Sequence, residues 1–559
     1  MSANPRLASI LRLSSRNHGT QIICRRCIYK NTRVFSTSRV IRQENSEGGG
    51  SALESATATA TAETANVLPK TVRELILTKD DIKDQAAVKG WIQTIRKQKG
   101  VCFATVTDGS TAQTVQVVMT PEQGSPLTIG AAAKIVGSWQ ESPSKKVQQR
   151  ELVAADVKLL AESDPGTYPL QKKSHTFEYL RTMPHLRLRS STSRSILQVR
   201  STALSQISTY FSTNSFTQVQ PPILTSSDCE GAGEVFAVTS SDRKPFFTDP
   251  VYLTVSSQLH LEAMALAMSK VWCMSPTFRA EKSDTARHLN EFYMLEAEMA
   301  FVENGIDEVM ETVEGVIKSI VRGLVDNEVL KKDLLTRRTD DVGLLEPEAL
   351  EKRWDGILNM PWRKLTYTEA IETLKTAVNQ GEEYKANYRT TNPKGKAPDV
   401  PIDEGAEFKF PVEWGMNLQS EHEKHLAYIV GHGAPVFITD YPKHLKPFYM
   451  LPNENHNGKE EEGRETVACF DLLLPHVGEI VGGSMREHRY EMLEGEMKRR
   501  GMSQESINQL GWYLELRKWG CAPLGGFGIG FDRLLAYLAG VENIRETVAF
   551  PRWFDRCLC

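Results

Sequence analysis

The chain has 559 residues, 40% hydrophobic and 25% charged, the make-up of an ordinary soluble globular protein and long enough for more than one domain. With 67 basic against 70 acidic residues it is nearly neutral, so any nucleic-acid binding must use a local basic patch rather than net charge. No apolar run approaches the roughly 18–20 residues of a membrane span, and no membrane association is expected.

Charge is unevenly spread. Arg6, Arg12, Arg16, Arg25, Arg26, Arg33, Arg39, Arg42 and Lys30 precede the first acidic residue, Glu44. Serines are frequent there, and Leu7, Ile10, Leu11 and Leu13 fit an apolar helical stripe. An arginine-rich, serine-rich, acid-poor start reads as a mitochondrial presequence over residues 1–43; the alternative is a basic arm for nucleic acid. Without that segment, 58 basic face 70 acidic residues, and the body is acidic at −12. Nine cysteines show neither zinc spacing nor a disulfide framework. Unpaired thiols suit a reducing compartment such as the mitochondrial matrix.

Residues 44–66, with Gly48-Gly49-Gly50 and alternating Ala and Thr, form a low-complexity linker with nothing to pack. Over 67–163, short β-like runs at 87–92, 101–106, 114–118 and 133–139 are separated by turn signals such as Asp108-Gly109. They predict a small barrel of the OB type, or a structural sandwich. Residues 164–190, carrying Asp164-Pro165-Gly166 and basic Arg181, His185, Arg187 and Arg189, read as a hinge. The remainder, 191–559, opens with a helix whose Ile196, Val199, Ala203, Ile207 and Phe211 recur at helical spacing. A helix is expected from Ile306 to Lys332, and irregular structure over 333–412 with an inserted loop near 385–407. Strands are expected from Ala434 to Ser484, a helix from Arg486 to about Arg500, then a glycine-rich strand and a final helix.

Three constellations carry chemistry. In Thr277 to Phe292, read as strand, loop, strand, Arg279 and Glu281 point to one face; Arg287 and His288 follow in the loop, then Phe292. That set offers a cation for a phosphate, an acceptor for an amino group and a ring for stacking. Asp471 and Glu479, beside Gly482-Gly483, can hold Mg²⁺ through one or two oxygens and leave the rest to substrate phosphates. Gly525-Gly526-Phe527-Gly528-Ile529-Gly530 lets a backbone approach a flat ligand, with Arg533 projecting from the next helix. Singly, each is as well read as a surface ion pair, a solvated acid or a flexible strand.

Together with the helix 194–214 and Pro222, these stretches resemble motifs 1, 2 and 3 of the class II aminoacyl-tRNA synthetases, subgroup b, and in detail its asparaginyl branch. The resemblance covers roughly residues 72–554, supported by Ser227 to Glu234, Trp414 to Glu423 and Tyr441 to Met450. It implies an α+β protein: an N-terminal OB-fold anticodon-binding barrel, then a class II catalytic domain, an antiparallel sheet flanked by helices. It implies ATP-dependent ligation of L-asparagine to tRNA(Asn), with Mg²⁺, by a homodimer joined through motif 1. Arg279 and Arg533 would be catalytic, with Glu479. ATP would be held by Arg279, Glu281, Arg287, His288, Phe292, Asp471, Glu479 and Arg533, and the metal by Asp471 and Glu479. Glu230, Ser256, Gln258, Glu296 and Arg486 would take the amino acid, the last two its side-chain amide. In the barrel, Phe103 and Gln116 match anticodon-binding positions.

Asparagine and aspartate differ by one amide for one oxygen. An amide needs an acceptor and a donor, which Glu296 and Arg486 supply. The aspartyl branch resembles this site but has a lysine where this chain has Leu261, which favours asparagine. An aspartyl enzyme and a catalytically silent RNA-binding paralogue are the rival readings; retention of Arg279, Glu281, Glu479 and Arg533 speaks against the second. Departures from the family pattern are Lys282, Asp284, Met485, Leu524 and an added stretch from Asn453 to Arg464.

Overall fold

The computed structural model describes residues 68–143, 148–226, 235–241, 246–337, 343–391, 399–454 and 464–559. The basic leader and the whole low-complexity linker lie outside the described residues, and so does Glu230.

Helix α1 (Val72–Leu77) starts at a reciprocal cap between Thr71 and Glu74. It is followed by β1 (Ile82–Lys97), β2 (Cys102–Thr107), β3 (Val115–Met119), β4 (Ala132–Glu141) and β5 (Arg150–Ala161). These close a barrel in the order β1-β2-β3-β5-β4. Closure is possible because β1 is long enough to pair twice, with β4 through its first half and β2 through its second, bending where the register shifts between Ile92 and Thr94. Alternation sorts the side chains. Cys102, Ala104, Val106, Val115, Val117 and Met119 are buried, and Val72 and Leu75 join them from α1. Phe103, Thr105, Gln116 and Val118 take the outer face, in register as Phe103↔Val118 and Thr105↔Gln116.

The segment read as a hinge carries two short helices, α2 (Phe177–Arg181) and α3 (Pro184–Arg187). It is pinned to the body of the protein. Arg187 is 1% exposed, lies 3.2 Å from Glu546 and donates to the Arg545 carbonyl at 2.8 Å; Arg181 pairs with the same Glu546.

Helix α4 (Ser191–Thr213) is capped by Ser190, whose side chain accepts from the Ser193 N–H. After β6 (Thr217–Gln218) come α5 (Gln258–Met268), β7 (Lys270–Phe278), β8 (Glu291–Ala300), α6 (Ile306–Val325), α7 (Glu328–Leu335) and α8 (Pro347–Leu358). Then follow β9 (Arg363–Thr366), α9 (Tyr367–Thr391), α10 (Ser420–Ile429), β10 (Val436–Thr439), β11 (Cys469–Leu474) and β12 (Gly478–Arg486). The chain closes with α11 (Tyr490–Arg499), β13 (Leu524–Gly530) and α12 (Phe531–Ala539). One sheet runs β9-β10-β11-β12-β13-β8-β7-β6, antiparallel except at its two edges. One face is apolar: Leu295, Ala297, Met299, Val481, Phe527 and Ile529 pack on the stripes of α4, α6 and α12. The other face is covered at its two ends, by Leu261 and Ala265 of α5 and by Tyr367, Ala370, Leu426 and Ala427 of α9 and α10, which leaves its middle for polar work.

Four expectations change. The strand ends at Phe278, so Arg279 and Glu281 start the loop rather than finish a strand. The expected helix to Lys332 is two helices, broken where Asn327 caps the second by accepting from Leu330 N–H at 3.2 Å. Residues 333–412 are more regular than their polarity predicts, and 385–391 of the expected inserted loop are the last turns of α9. Among its described side chains the buried hydrophobics are Tyr367, Ala370, Ile371, Leu374 and Ala377, all in its first half, so its C-terminal half carries no apolar signal. The helix expected from Arg486 begins at Tyr490, because Arg486 still belongs to β12.

Barrel and sheet domain share a buried latch. Asp333 on α7 is 2% exposed and accepts from Thr111 Oγ1 at 2.6 Å, Ala112 N–H at 2.7 Å and Gln113 Nε2 at 3.0 Å. Asp333→Ala would strand these donors and is expected to cost about 3 kcal/mol. Thermal denaturation should show a clear fall in Tm; an unchanged Tm would mean that the latch is not structural.

Candidate active site

The open face of the sheet forms the floor of a cavity of about 500 Å³, a size suited to a small-molecule substrate. Strand register builds it. Asp471, Gly482, Gly528, Glu296 and Cys273 are successive cross-strand partners from β11 to β7, one row across five strands. The two glycines in the middle leave the floor bare between an acid at one end and an acid at the other. A side chain at Gly526 would fall 2.0 Å from Glu298 Oε2, so glycine is required for that carboxylate to lie flat on the floor.

At one end, Glu296 (3% exposed) accepts from Ser257 N–H at 3.0 Å and from Ser256 Oγ, with the Cys273 Sγ at 3.9 Å. Burial, then the Glu296 charge, pushes the Cys273 thiol up to about 12, so it stays a neutral donor. Gln258 donates to Glu262 at 3.1 Å. Arg486 makes a two-pronged pair with Glu298, 3.0 Å on each prong, donates to Ser484 Oγ at 2.6 Å, and lies over the Tyr449 ring at 5.6 Å. Behind it, Glu262 accepts from Tyr513 at 2.8 Å and pairs with Arg517. Burial raises the Glu298 carboxyl although Arg486 opposes it. Leu261 lines the cavity and belongs to an apolar cluster with Ala265, Val271 and Cys273.

At the other end, the Arg279 guanidinium lies 5.7 Å from the Phe292 ring centre. The loop between them is laced by Asn290, whose Nδ2 donates to the carbonyls of Arg279 (2.7 Å) and Glu281 (2.9 Å). Glu281 faces His288 at 3.5 Å, and Asp284 is held by Arg545 at 2.6 Å. Arg287 donates to Ser420 Oγ and the Val477 carbonyl. Arg533, in the first turn of α12, reaches the Glu479 carbonyl at 3.5 Å. The adjacent Asp532 fixes that turn: it accepts from Tyr293 N–H at 2.8 Å and pairs with Arg200 of α4.

Asp471 and Glu479 converge over Gly482: a side chain there would lie 3.7 Å from Asp471 Oδ1 and 3.8 Å from Glu479 Oε1. Burial, reinforced by Asp471 and Glu423, raises the Glu479 carboxyl. Among the described residues no group of three or more acids, histidines or cysteines could hold an ion unaided. Two oxygens that need ligand phosphates to complete a shell fit Mg²⁺ arriving with a nucleotide.

The cavity therefore gathers Ser256, Gln258, Arg279, Glu281, Arg287, His288, Phe292, Glu296, Asp471, Glu479, Arg486 and Arg533. Phe103 and Gln116 stand apart on the barrel, where Arg96 lies 5.4 Å from the Phe103 ring and Gln116 donates to Glu151 at 3.0 Å. Sequence reasoning missed Glu298, Glu262, Glu423 and Lys446. Glu298 had a signal, since it lies two residues from Glu296 on the same strand face. Glu423 accepts from Glu479 N–H at 3.2 Å, and Lys446 donates to both oxygens of Asp471 at 2.9 and 2.7 Å. No local spacing links Glu423 to Glu479 or Lys446 to Asp471.

The chain matches the family model for class II tRNA synthetases (D, K and N) over residues 177–554 and that for the OB-fold nucleic acid binding domain over 86–160. The mitochondrial asparagine–tRNA ligase of Saccharomyces cerevisiae is 41% identical, over 84% of this chain and 92% of that protein. Its Schizosaccharomyces pombe counterpart is 40% identical, over 87% and 97%. The crystal structure of asparaginyl-tRNA synthetase from Pyrococcus horikoshii complexed with asparaginyl-adenylate superposes with a TM-score of 0.68 at 26% identity, covering 86% of this chain and 99% of that one. The chain belongs to the class II tRNA synthetases and, within them, to the asparagine–tRNA ligase family.

Proposed function

We propose that this protein joins L-asparagine to tRNA(Asn) at the expense of ATP, in mitochondria, through an asparaginyl-adenylate. The observation that supports the reading is the strand row from Asp471 to Glu296, which sets one acid at each side of a bare floor of two glycines. Two mitochondrial relatives of about 40% identity support the compartment. The nine basic residues before Glu44 support a presequence that directs the protein to the matrix.

Substrate sits across the row. Ser256 and Gln258, with Glu230 outside the described residues, face the amino acid's α-ammonium end. Glu296 accepts from the side-chain NH₂ and Arg486 donates to its carbonyl. An aspartate carboxylate would meet Glu296 with like charge, and Leu261 offers no compensating cation. Phe292 stacks on adenine, Glu281 accepts from its amino group, and Arg279 neutralises the α-phosphate. Arg287, His288 and Arg533 take the outer phosphates. The asparagine carboxylate attacks the α-phosphorus and pyrophosphate departs; the terminal adenosine hydroxyl of tRNA then attacks the acyl carbon and AMP leaves. Both steps depend on positioning and charge neutralisation more than on a protein base. Asp471 and Glu479 would hold Mg²⁺, which supplies further neutralisation of the phosphates when bound.

Asparagine-dependent pyrophosphate exchange tests the reading: asparagine should drive it and aspartate should not, and the reverse would overturn the assignment. Arg279→Ala is expected to slow exchange by about 10²–10³-fold with tRNA binding intact; unchanged exchange would remove Arg279 from the site.

Anticodon contact is proposed for the barrel's outer face. Phe103 is a half-buried platform there, and base stacking on such a ring is worth roughly 1–3 kcal/mol. Phe103→Ala should raise the KM for tRNA(Asn) by about tenfold and leave exchange unchanged; an unaltered KM would sink the platform.

A homodimer through α4 is supported by the likeness of that helix to motif 1 and by Leu204, exposed beside the buried stripe. Sedimentation should give twice the chain mass, and a monomer that charges tRNA would refute it.

A further inference from the structure

Lys446 has no place in the roles above, yet it sits at the centre of the phosphate end. Its ammonium is chelated by Asp471, with Nζ 2.9 Å from Oδ1 and 2.7 Å from Oδ2. It lies 3.9 Å from the centre of the buried Tyr441 ring. The lysine and aspartate side chains are only 17% and 13% exposed. Burial works against the Lys446 charge, but Asp471 and Glu479 outweigh it, so the ammonium is held above its ordinary range. Both oxygens that a divalent ion would use on Asp471 are therefore taken by a resident cation.

The surroundings make this more than a surface pair. Asp471, Glu479 and Glu423 act on one another as like charges at this end of the cavity. The cations among them are Lys446, Arg287 and Arg533. The charge of Asp471 is thus already balanced within the protein, by a lysine that contacts both of its oxygens. A balanced site gives a divalent ion little electrostatic reason to shed its water, and Mg²⁺ dehydrates reluctantly. Incoming phosphates upset that balance towards negative charge and bring the oxygens that complete an octahedral shell.

We propose that Lys446 is a built-in counter-ion that keeps the Asp471–Glu479 pair closed to divalent cations until ATP arrives. Lys446 is a positioning residue: it acts through Asp471. The proposal rests on the reading of Asp471 and Glu479 as Mg²⁺ ligands.

Mn²⁺ binding to the full chain, followed by electron paramagnetic resonance at fixed free Mn²⁺ without asparagine, tests it. Wild type should bind Mn²⁺ at least tenfold more tightly with ATP than without. Lys446→Met should bind Mn²⁺ without ATP at least tenfold more tightly than wild type, and its Tm should rise on adding Mn²⁺, whereas that of wild type stays put. Lys446→Arg, which keeps the charge, should behave as wild type. Equal Mn²⁺ affinity of wild type with and without ATP would overturn the proposal even if Lys446→Met fails to fold, and so would a folded Lys446→Met with wild-type affinity. Absence of Mn²⁺ from the wild-type ATP complex would instead overturn the metal reading of Asp471 and Glu479, and the role of Lys446 with it.

Discussion

Charges that water no longer reaches must neutralise one another, and that constraint organises the cleft from end to end. Glu298 with Arg486, Glu262 with Arg517, Asp471 with Lys446 and Glu546 with Arg187 are all largely removed from solvent. Each ion alone would carry a desolvation penalty of several kcal/mol, and deleting one partner of such a pair typically costs about 3–5 kcal/mol. The raised Glu298, Glu479 and Glu546 carboxyls show burial prevailing over nearby cations in each case. Apolar clusters on α5, α9 and α10 cover the ends of the cavity side of the sheet, but its middle is not held by apolar packing. It is held by a set of charges whose unspent hydrogen-bonding capacity is available to a polar substrate.

The same constraint separates the two ends of the row. At the Glu296 end, Arg486 is already balanced by Glu298, so its guanidinium offers direction more than net charge. Such a donor suits a neutral carbonyl better than a carboxylate, which needs an uncompensated cation to replace its lost hydration. At the Asp471 end, the charges come from separate elements: β11 with Asp471, β12 with Glu479, α10 with Glu423 and the segment before Tyr449 with Lys446. The proposed amide and phosphate ends therefore stand on opposite sides of two glycines, Gly482 and Gly528, and neither has to be tuned through the other.

Much of this was legible in the sequence, for identifiable reasons. The alternation 292, 294, 296, 298 in β8 and the alternating glycines of β13 report which face is open, because strand side chains alternate strictly. The barrel's inward and outward residues follow from the same period, although Phe103 was singled out by the resemblance rather than by alternation; the burial pattern of β2 sets it on the outer face. Register was not legible. Gly482 meets Gly528, and Gly528 meets Glu296, only because strands far apart in sequence pair with one particular offset. Nothing near Lys446 or Glu423 announces Asp471 or Glu479 as a partner. Arg279 and Glu281 were placed on a strand because the pattern continues past Phe278, whereas the ladder stops where Asn290 begins to hold their carbonyls instead. The C-terminal turns of α9 were missed because Glu382 to Asn387 include no buried apolar side chain and so give no period to read.

One helix finally ties the barrel to the chemistry. Gln198 of α4 donates to the Gly109 carbonyl at the barrel turn at 2.9 Å, beside the Asp108 that faces Arg194. Arg200, only two residues beyond Gln198, pairs with Asp532 and lies 4.8 Å from the Tyr293 ring. From Arg194 to Arg200 a helix rises only about 9 Å. Within that span the helix touches the turn that orients the barrel and the aspartate that fixes the first turn carrying Arg533. Ile196, Val199 and Ala203, all fully buried, lock the same stretch to the back of the sheet. The position of the barrel and the position of Arg533 are therefore set by one rigid rod. A substrate long enough to engage both must fit a fixed distance, and no flexible linker between the described domains needs to be invoked to bring them together.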